Sequence, residues 1–527
     1  MALTRRTLLT AAALAAPHVG APRLAGAQPS SVLRFVPQAD LTVLDPVWTT
    51  ATVTATHGLM VFDTLYGLDK DYAPAPQMVE GHLVEDDGRT WTMTLRPGLR
   101  FHDGEPVRGR DAVASIRRWA ARDMFGQEVL AVSDEITAPD DRTIRFRLKQ
   151  PFPLLQLALG KVTPSMCAIM PERLAVTDPG KQVTEMVGSG PFRFLASERV
   201  AGARVAYARF ENYVPRPSGQ PSRTTGPKLA HFDRIEWTVI PDQATAAAAL
   251  QAGEVDWLDT TSADLMPLFR RNSKLVAAYS DERNNNILRF NSTIPPFDNP
   301  AIRRALLAAV SQRDVMTTAF GDDPKAWKVD VGFFLSDGLM ASDAGLDTLT
   351  GKRDLARVKH DLGAAGYKGE RVVILQPEDF PSLKAMTEVS ADMLRKAGML
   401  VDVVSADWGT VVQRRASREP AERGGWNVFV AGTTTTLDPS GHLGLRGNGS
   451  KAWFGWPDNP RLEALRQRWL QAPDLAQQRA ICQDMQLEAF QSVPYIPLGE
   501  SSRLSAYRGE LSGFPVGQIA FYGVRRG

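Results

Sequence analysis

One segment of this 527-residue chain, residues 85–123, constrains its fold more than any other. Asp86-Asp87-Gly88 is turn chemistry, and Trp91, Met93 and Leu95 then alternate with threonines at the period of a strand with one buried face. Two further turns, at residues 96–98 and 102–104, enclose a second short strand. A helix follows, and its apolar positions lie on one face: Ala112, Val113, Ile116 and Trp119. None of these residues forms a catalytic pattern.

This segment reads TWTMTLR at residues 90–96 and FHDG at residues 101–104. These motifs resemble the signature of the solute-binding proteins of ABC transporters, in the peptide/nickel/opine-binding family. Further stretches resemble the same family in the correct order: GSGPF at residues 188–192, IPDQATAAAALQAGEVD at 240–256 and PPFDNPAIRRA at 295–305. The resemblance extends from about residue 32 to about residue 500.

This resemblance implies an α/β fold, a two-lobed periplasmic binding protein of type II, similar to cluster C, with an extra subdomain inserted in the first lobe. The lobe boundaries it implies are residues 28–71, 188–283 and 500–527 for lobe I, 72–187 for the extra subdomain and 284–499 for lobe II. The chain then crosses between lobes at residues 284–291 and 493–498. Helices alternate with short apolar strands between residues 354 and 404, which favours a mostly parallel sheet in lobe II.

The N-terminus has the features of an export signal. Arg5-Arg6, with Thr4 before and Leu8-Leu9 after, resembles the twin-arginine pattern, and an apolar stretch and an Ala25-Gly26-Ala27 cleavage site follow. An ordinary Sec signal that happens to contain two arginines is the alternative. Both routes predict a signal peptide over residues 1–27, cleavage after Ala27 and a protein of the periplasm.

Charge and cysteine content exclude several classes of partner. Cleavage removes three arginines and no acid, which leaves 58 basic against 59 acidic side chains. Such a balance gives no electrostatic footprint for nucleic acid or anionic lipid. Cys167 and Cys482 are the only cysteines, and we expect each to be a free, buried thiol rather than part of a bridge, a metal site or a redox site.

Catalytic and metal-binding patterns are missing from the sequence. There is no G-x-S-x-G elbow, no H-E-x-x-H and no C-x-x-C, and the histidines left after cleavage are scattered without the spacing of a ligand pair. We therefore expect no catalytic residues, no metal and no cofactor.

The loop around Asp438 is one candidate for solute binding. In peptide-binding relatives an aspartate in this loop pairs with the α-amino group of the ligand. By resemblance, that position is Thr435 here, and Asp438 matches the aspartate of the Asp-Pro pair that follows. Asp438 either contacts the solute or caps the turn before Pro439, because Asp-Pro is itself a turn signal.

Three tryptophans and one arginine are further candidates for contact with the solute. Trp408 follows an apolar strand, where an open α/β sheet places its ligands, and Trp48 follows Leu44-Asp45-Pro46 in the first lobe. Trp426 begins a region that also contains Trp453 and Trp456 and could wall a cleft. Arg289 could meet a ligand carboxylate, or could be a surface arginine on a strand. For each tryptophan, packing in the core is the alternative.

The sequence as a whole is interpreted as a monomeric, extracytoplasmic solute-binding component of an ABC importer. By resemblance, a peptide or similar small solute is trapped between the lobes, and the closed form is recognised by an inner-membrane permease that a cytoplasmic ATPase drives. Two alternatives stay open. One is a binding protein for a non-peptide solute, such as an opine, a metal chelate or an oligosaccharide. The other is an extracytoplasmic enzyme on a binding-protein fold.

Overall fold

The computed structural model describes residues 31–163, 165–434, 436–516 and 520–527. The predicted signal peptide and Thr435 therefore lie outside the described residues. Within the described ranges no helix has both the length and the apolar character that a membrane crossing requires.

The strands are, in chain order, β1 Val32–Val36, β2 Tyr66–Leu68, β3 Pro74–Pro76, β4 Val79–Glu85, β5 Thr90–Leu95, β6 Ser133–Thr137, β7 Thr143–Leu148, β8 Phe192–Phe194, β9 Arg204–Arg209, β10 Arg234–Thr238, β11 Trp257–Leu258, β12 Leu275–Phe290, β13 Trp327–Lys328, β14 Arg371–Pro377, β15 Leu400–Ala406, β16 Val428–Thr433, β17 Tyr495–Arg508, β18 Leu511–Ser512 and β19 Arg525–Arg526.

The α-helices are α1 Thr52–Val61, α2 Gly109–Ala120, α3 Met124–Val132, α4 Leu155–Gly160, α5 Glu172–Ala175, α6 Gln243–Ala252, α7 Met266–Arg270, α8 Pro300–Ala305, α9 Gln312–Phe320, α10 Asp347–Thr350, α11 Leu355–Ala364, α12 Pro381–Lys396, α13 Trp408–Arg414, α14 Pro460–Leu470 and α15 Leu475–Ser492. Short 3₁₀ helices cover Asp86–Gly88, Ala196–Glu198, Ala263–Leu265, Leu306–Ala309, Ala421–Arg423, Leu443–Leu445 and Gly449–Lys451.

One large sheet runs through both lobes of this α/β molecule. Its order is β15-β14-β16-β12-β17-β11-β1-β10-β9-β8, with β13 paired to the side of β17. The first lobe contains β1 and β8 to β11, and the second lobe contains β14 to β16. β14 pairs in parallel with both β15 and β16, which confirms the parallel sheet predicted for the second half of the chain.

The long strands β12 and β17 join the two lobes. They pair antiparallel from Leu275↔Arg508, beside β11, to Arg289↔Tyr495, beside β16. Both crossovers predicted from the sequence, residues 284–291 and 493–498, lie mainly on this pair of strands. The register shifts between Tyr279 and Arg283, so the regular pairing is interrupted where the strands leave the first lobe.

A separate sheet, β4-β5-β7-β6, forms within the region expected to be the extra subdomain. The predicted alternation in β5 is confirmed, since Trp91, Met93 and Leu95 are buried, and α2 buries its predicted apolar face. The second short strand predicted between the turns is wrong. Only a single bridge, Arg100↔Pro106, forms there, because two turns so close together leave no room for a ladder.

Both cysteines are free and buried, as predicted from the sequence. The apolar core is largely continuous, because one cluster of buried side chains extends from β1 to the C-terminal residues and a smaller second cluster surrounds α6 and α7. The shared core and the shared sheet position the two walls of the candidate site, one on each lobe.

Candidate functional site

A pocket of about 280 Å³ lies between the two lobes, and we call it the interlobe pocket. A loop after β1 and the start of α3 form its first-lobe wall, and a loop between Leu443 and Trp456 forms its second-lobe wall. A larger cavity of about 660 Å³ lies elsewhere. The residues that line that cavity all lie between Ser292 and Pro494, so it belongs to the second lobe alone. Only a pocket with walls on both lobes changes when the lobes move, and we therefore take the interlobe pocket as the candidate site.

The first-lobe wall is fixed by Asp45, which is fully buried. One carboxylate oxygen accepts from the Val47 N–H at 2.9 Å, and the other accepts from Arg118 Nη2 at 2.6 Å. This network holds the loop that carries Trp48. The guanidinium carbon of Arg122 lies 4.4 Å from the centroid of the Trp48 ring, and Arg122 Nη2 donates to the Trp48 carbonyl at 3.0 Å. Trp48, a residue predicted from the sequence, thus lines the interlobe pocket.

Arg289 positions the second-lobe wall. Its guanidinium donates to the carbonyls of Phe454 at 2.7 Å and Gly444 at 2.8 Å, and more weakly to those of Trp453 and Pro494. Arg289 is fully buried, so the interpretation as a surface arginine is wrong. Its donors are already used by backbone carbonyls, which fixes Trp453 and Phe454 at the pocket. Burial lowers the pKa of Arg289 to about 9, which leaves it charged at neutral pH.

Trp426 and Trp408, two other predicted tryptophans, do not line the pocket. Trp426 is fully buried, donates from Nε1 to the Arg415 carbonyl at 3.0 Å, and packs on Phe429 and Trp456 behind the wall. Trp408 begins α13 at the carboxyl end of β15, as predicted, and its ring lies 5.7 Å from that of Phe380. The structure brings Trp48 together with Trp453 and Trp456, while Trp408 lies beyond them.

Asp438 is held by an ion pair that crosses between the lobes. Lys161 directly follows α4 in the first lobe, and its Nζ approaches Asp438 Oδ1 to 3.2 Å and donates to Ser440 Oγ at 2.7 Å. Asp438 also accepts from the Ser440 N–H at 2.8 Å, so it caps its own turn. Burial acts to raise the pKa of Asp438, but Lys161 and Ser440 outweigh it and hold that pKa below the usual range.

A second ion pair crosses the same interface. Arg466 Nη1 on α14 lies 2.7 Å from Glu128 Oε1 on α3, and Gln467 donates to the same carboxylate at 3.2 Å. Both of these cross-lobe ion pairs are largely buried. The structure is therefore a closed arrangement of the two lobes.

The interlobe pocket carries an excess of positive charge. Arg122 and Lys451 face it, and neither has an acidic partner in the described ranges. Arg446 is paired with Glu463, and Asp123 is buried at the start of α3, where both of its oxygens accept hydrogen bonds. Such a lining favours a solute with a negatively charged group.

Apart from Asp438 and Arg289, sequence reasoning did not find the charged residues of this site. Lys161, Glu128 and Arg466 meet only across the interface, and no local pattern marks them. Arg122 adjoins the end of α2, where an exposed arginine is ordinary. In the described ranges no group of three or more His, Cys, Asp or Glu side chains could hold a metal ion.

The chain is similar to known proteins over almost its whole length. A family model described as bacterial extracellular solute-binding proteins, family 5, middle part, matches residues 73–453. A relative named as a probable peptide ABC transporter periplasmic-binding protein, from Sinorhizobium fredii, is 36% identical over 522 residues, which cover 97% of each chain. A glutathione-binding protein of Pectobacterium atrosepticum is 25% identical over 487 residues, with 90% of each chain covered.

Solved structures share the fold at low sequence identity. The PBP AgaA from A. tumefaciens R10, in complex with agropinic acid, has a TM-score of 0.79 at 21% identity, with 94% of this chain and 99% of that chain covered. A dipeptide binding protein from Pseudoalteromonas sp. SM9913, in complex with Met-Leu, has a TM-score of 0.78 at 18% identity, with 94% and 100% covered.

The cross-lobe pair of Lys161 and Asp438 can be tested by a double-mutant cycle. Asp438→Asn leaves a buried ammonium without a counterion, so we expect a loss of about 3 kcal/mol in the free energy of unfolding. Lys161→Met should cost a similar amount, and the double variant should recover part of it. Urea unfolding measures all three, and Lys70→Met, in an exposed pair with Asp71, is the control that should change nothing. Additive losses in the double variant contradict the pair.

The pH dependence of this pair has a definite sign. Because the pKa of Asp438 is lowered in the folded state, its contribution is present above the unfolded pKa of about 3.8 and is lost as the pH falls through the folded pKa. The stability difference between wild type and Asp438→Asn should thus be constant from about pH 5 to 8 and shrink below about pH 4. A difference that shrinks above pH 5 would assign the effect to another group.

Proposed function

The chain belongs to family 5 of the bacterial extracellular solute-binding proteins, and from that premise we propose that it captures a dipeptide, or another small solute of similar size, in the interlobe pocket. The proteins of this family are solute-binding components of ABC importers rather than enzymes. A permease in the inner membrane then receives the solute, and an ATPase on the cytoplasmic side drives transport. The observation that carries the proposal is the pocket with one aromatic wall on each lobe.

The size of the pocket supports a small solute. A volume of about 280 Å³ lies just below the range of about 300–1,000 Å³ for small-molecule sites. A longer peptide could not be enclosed without the lobes moving apart. The relative from S. fredii is named for peptide transport. The two solved structures described above hold a dipeptide and agropinic acid, which are both small solutes.

A non-peptide solute is the second candidate, and one observation favours it. In the closed arrangement Lys161 already pairs with Asp438, so this carboxylate has no vacant side for the amine of a peptide. The positive lining from Arg122 and Lys451 instead suits an organic acid. An opine-like acid satisfies both conditions, whereas a cationic metal chelate or a neutral oligosaccharide gains nothing from this charge.

We infer a lobe organisation with bounds at residues 28–71, 188–283 and 500–527 for lobe I, 72–187 for the extra subdomain and 284–499 for lobe II. The paired strands β12 and β17 support this organisation, because the chain passes between the lobes twice, once on each of these strands. The protein acts as a monomer in this proposal, since one chain supplies both walls of the pocket.

Capture in the interlobe pocket is tested by replacing its first-lobe tryptophan. The solute is first identified by mass spectrometry of what denatured protein releases, and calorimetry then measures its dissociation constant. Trp48→Ala should weaken binding about tenfold or more, because a central aromatic contact is worth at least about 1.4 kcal/mol. The matched control is Trp327→Ala, which removes a ring with a similar arginine contact, from Arg313 at 5.6 Å, outside the pocket. Equal affinities for wild type and Trp48→Ala would refute the assignment of this pocket.

Export to the periplasm by the twin-arginine route is a further part of the proposal. The motif at Arg5-Arg6 supports it. The double variant Arg5→Lys, Arg6→Lys should leave precursor in the cytoplasm, as cell fractionation and immunoblotting would show. Normal periplasmic accumulation of the variant rejects the twin-arginine route in favour of Sec.

A further inference from the structure

One arginine near the interlobe pocket differs from the buried arginines of the chain. The guanidinium of Arg415 has no hydrogen-bond acceptor and no acid partner among the described residues, and its Nε is buried. The buried arginines, by contrast, each donate to at least one carbonyl or carboxylate oxygen; they are Arg96, Arg118, Arg223, Arg289, Arg303, Arg446 and Arg466.

Aromatic rings surround this guanidinium. Its central carbon lies 4.8 Å from the ring centroid of Phe454, 5.6 Å from Trp408, 5.8 Å from Trp453 and 5.9 Å from Phe429. Arg415 follows α13 seven residues after Trp408, which is two helical turns, so both side chains lie on one face of the helix. An arginine side chain on a helix extends toward the N-terminus, and this direction brings the cation back to Trp408 at the carboxyl edge of the sheet.

Holding the charged guanidinium of Arg415 among aromatic rings costs free energy unless a ligand accepts hydrogen bonds from it. The faces of the rings attract a cation, but they accept no conventional hydrogen bonds from the guanidinium donors, and water is partly excluded. Burial lowers the pKa of Arg415 to about 10, so the group is still charged at neutral pH. The ionised fork presents donors in the planar geometry that matches a carboxylate.

The cation lies next to the interlobe pocket, behind its second-lobe wall, and Arg415 is not itself one of the lining residues. Two of its four rings, Trp453 and Phe454, also line the interlobe pocket, while Trp408 is the residue that the sequence placed at the ligand edge of the sheet. Arg122 and Lys451 are exposed and can attract an anion from solution, but water screens them. Arg415 is the better shielded cation, so it can contribute more to a carboxylate that reaches it.

We propose that Arg415 anchors a carboxylate of the solute, in a subsite walled by Trp408, Phe429, Trp453 and Phe454. The inference rests on the proposed function and narrows it to solutes that carry a carboxylate next to an apolar group. Asp438 then contributes to closure through Lys161, and Arg415 contributes to recognition.

The experiment uses two probes of the same shape, phenylacetate and its neutral analogue phenylacetamide. Binding to the full-length mature protein, freed of co-purified solute, is followed by the shift of its melting temperature and by calorimetry. The wild type should bind phenylacetate at least about 100-fold more tightly than phenylacetamide, as expected for a charge-assisted bidentate contact. Arg415→Gln should lose this preference, and Arg415→Lys, which keeps the charge but not the fork, should retain a weaker one.

The control variant is Arg418→Gln. This nearby guanidinium also lies over a tryptophan, at 4.5 Å from the Trp456 ring, but it donates to the Ser450 carbonyl and lines the larger cavity of about 660 Å³ in the second lobe. Arg418→Gln removes the same charge as Arg415→Gln does, and the preference for phenylacetate should persist in this control. If Arg415→Gln does not fold, Arg415→Lys decides, with a loss of about tenfold expected.

Equal binding of the two probes by the wild type, or an unchanged preference in the folded Arg415 variants, would overturn the inference. Failure of the proposed function is distinguishable from this result, because it would appear as wild-type protein that releases no solute and binds neither Met-Leu nor any other dipeptide. Discrimination between the two probes does not depend on that outcome.

Discussion

The antiparallel pairing of β12 with β17 is the interaction on which the rest of the structure depends. The backbone hydrogen bonds of these strands continue from the first lobe into the second, so the two lobes share one sheet rather than being tied by loops. β12 also carries Arg289, whose donors fix the carbonyls behind Trp453 and Phe454. The aromatic wall of the pocket is therefore attached to the strands that join the lobes. A rotation where the register shifts, between Tyr279 and Arg283, would move this wall relative to Trp48.

Different charged residues contribute to closure of the lobes and to recognition of the solute. Two largely buried ion pairs, Lys161 with Asp438 and Arg466 with Glu128, connect the lobes directly. Each must be separated and rehydrated when the lobes open, so these pairs set the balance between open and closed forms. A solute shifts that balance only by its difference in affinity for the two forms. The cations without acidic partners at the pocket can supply this difference, because an anion contacts both walls only when the lobes are closed.

Local chemistry explains which features could be predicted from the sequence. Periodicity in the local sequence predicts three features: the buried face of β5, the apolar face of α2 and the parallel strands β14 and β15. The position of Trp408 followed from its place after a strand. Arg289 shows the limit, since a charged residue on a strand is ordinarily exposed, and only the fold shows that carbonyls from three distant segments surround it.

The cross-lobe ion pairs could not be predicted for a related reason. Lys161 and Asp438 are 277 positions apart in sequence, and Glu128 and Arg466 are 338 apart. Neither pair has a local signature, because each exists only when the two lobes meet. The same holds for Arg415, whose four rings come from a helix, a strand and a loop. Family resemblance supplied the two-lobed fold, but the solute chemistry depends on contacts that are specific to this chain.

The central claim, that the lobes close on a solute, is tested most directly by pulsed EPR distances between spin labels on the two lobes. Arg145→Cys on β7 and Glu388→Cys on α12 place the labels at exposed sites, and the native cysteines are buried and should not react. We expect a mixture of distances without solute that becomes one short distance at saturation, and a shift toward longer distances in Lys161→Met. An identical distribution in all three conditions would contradict it.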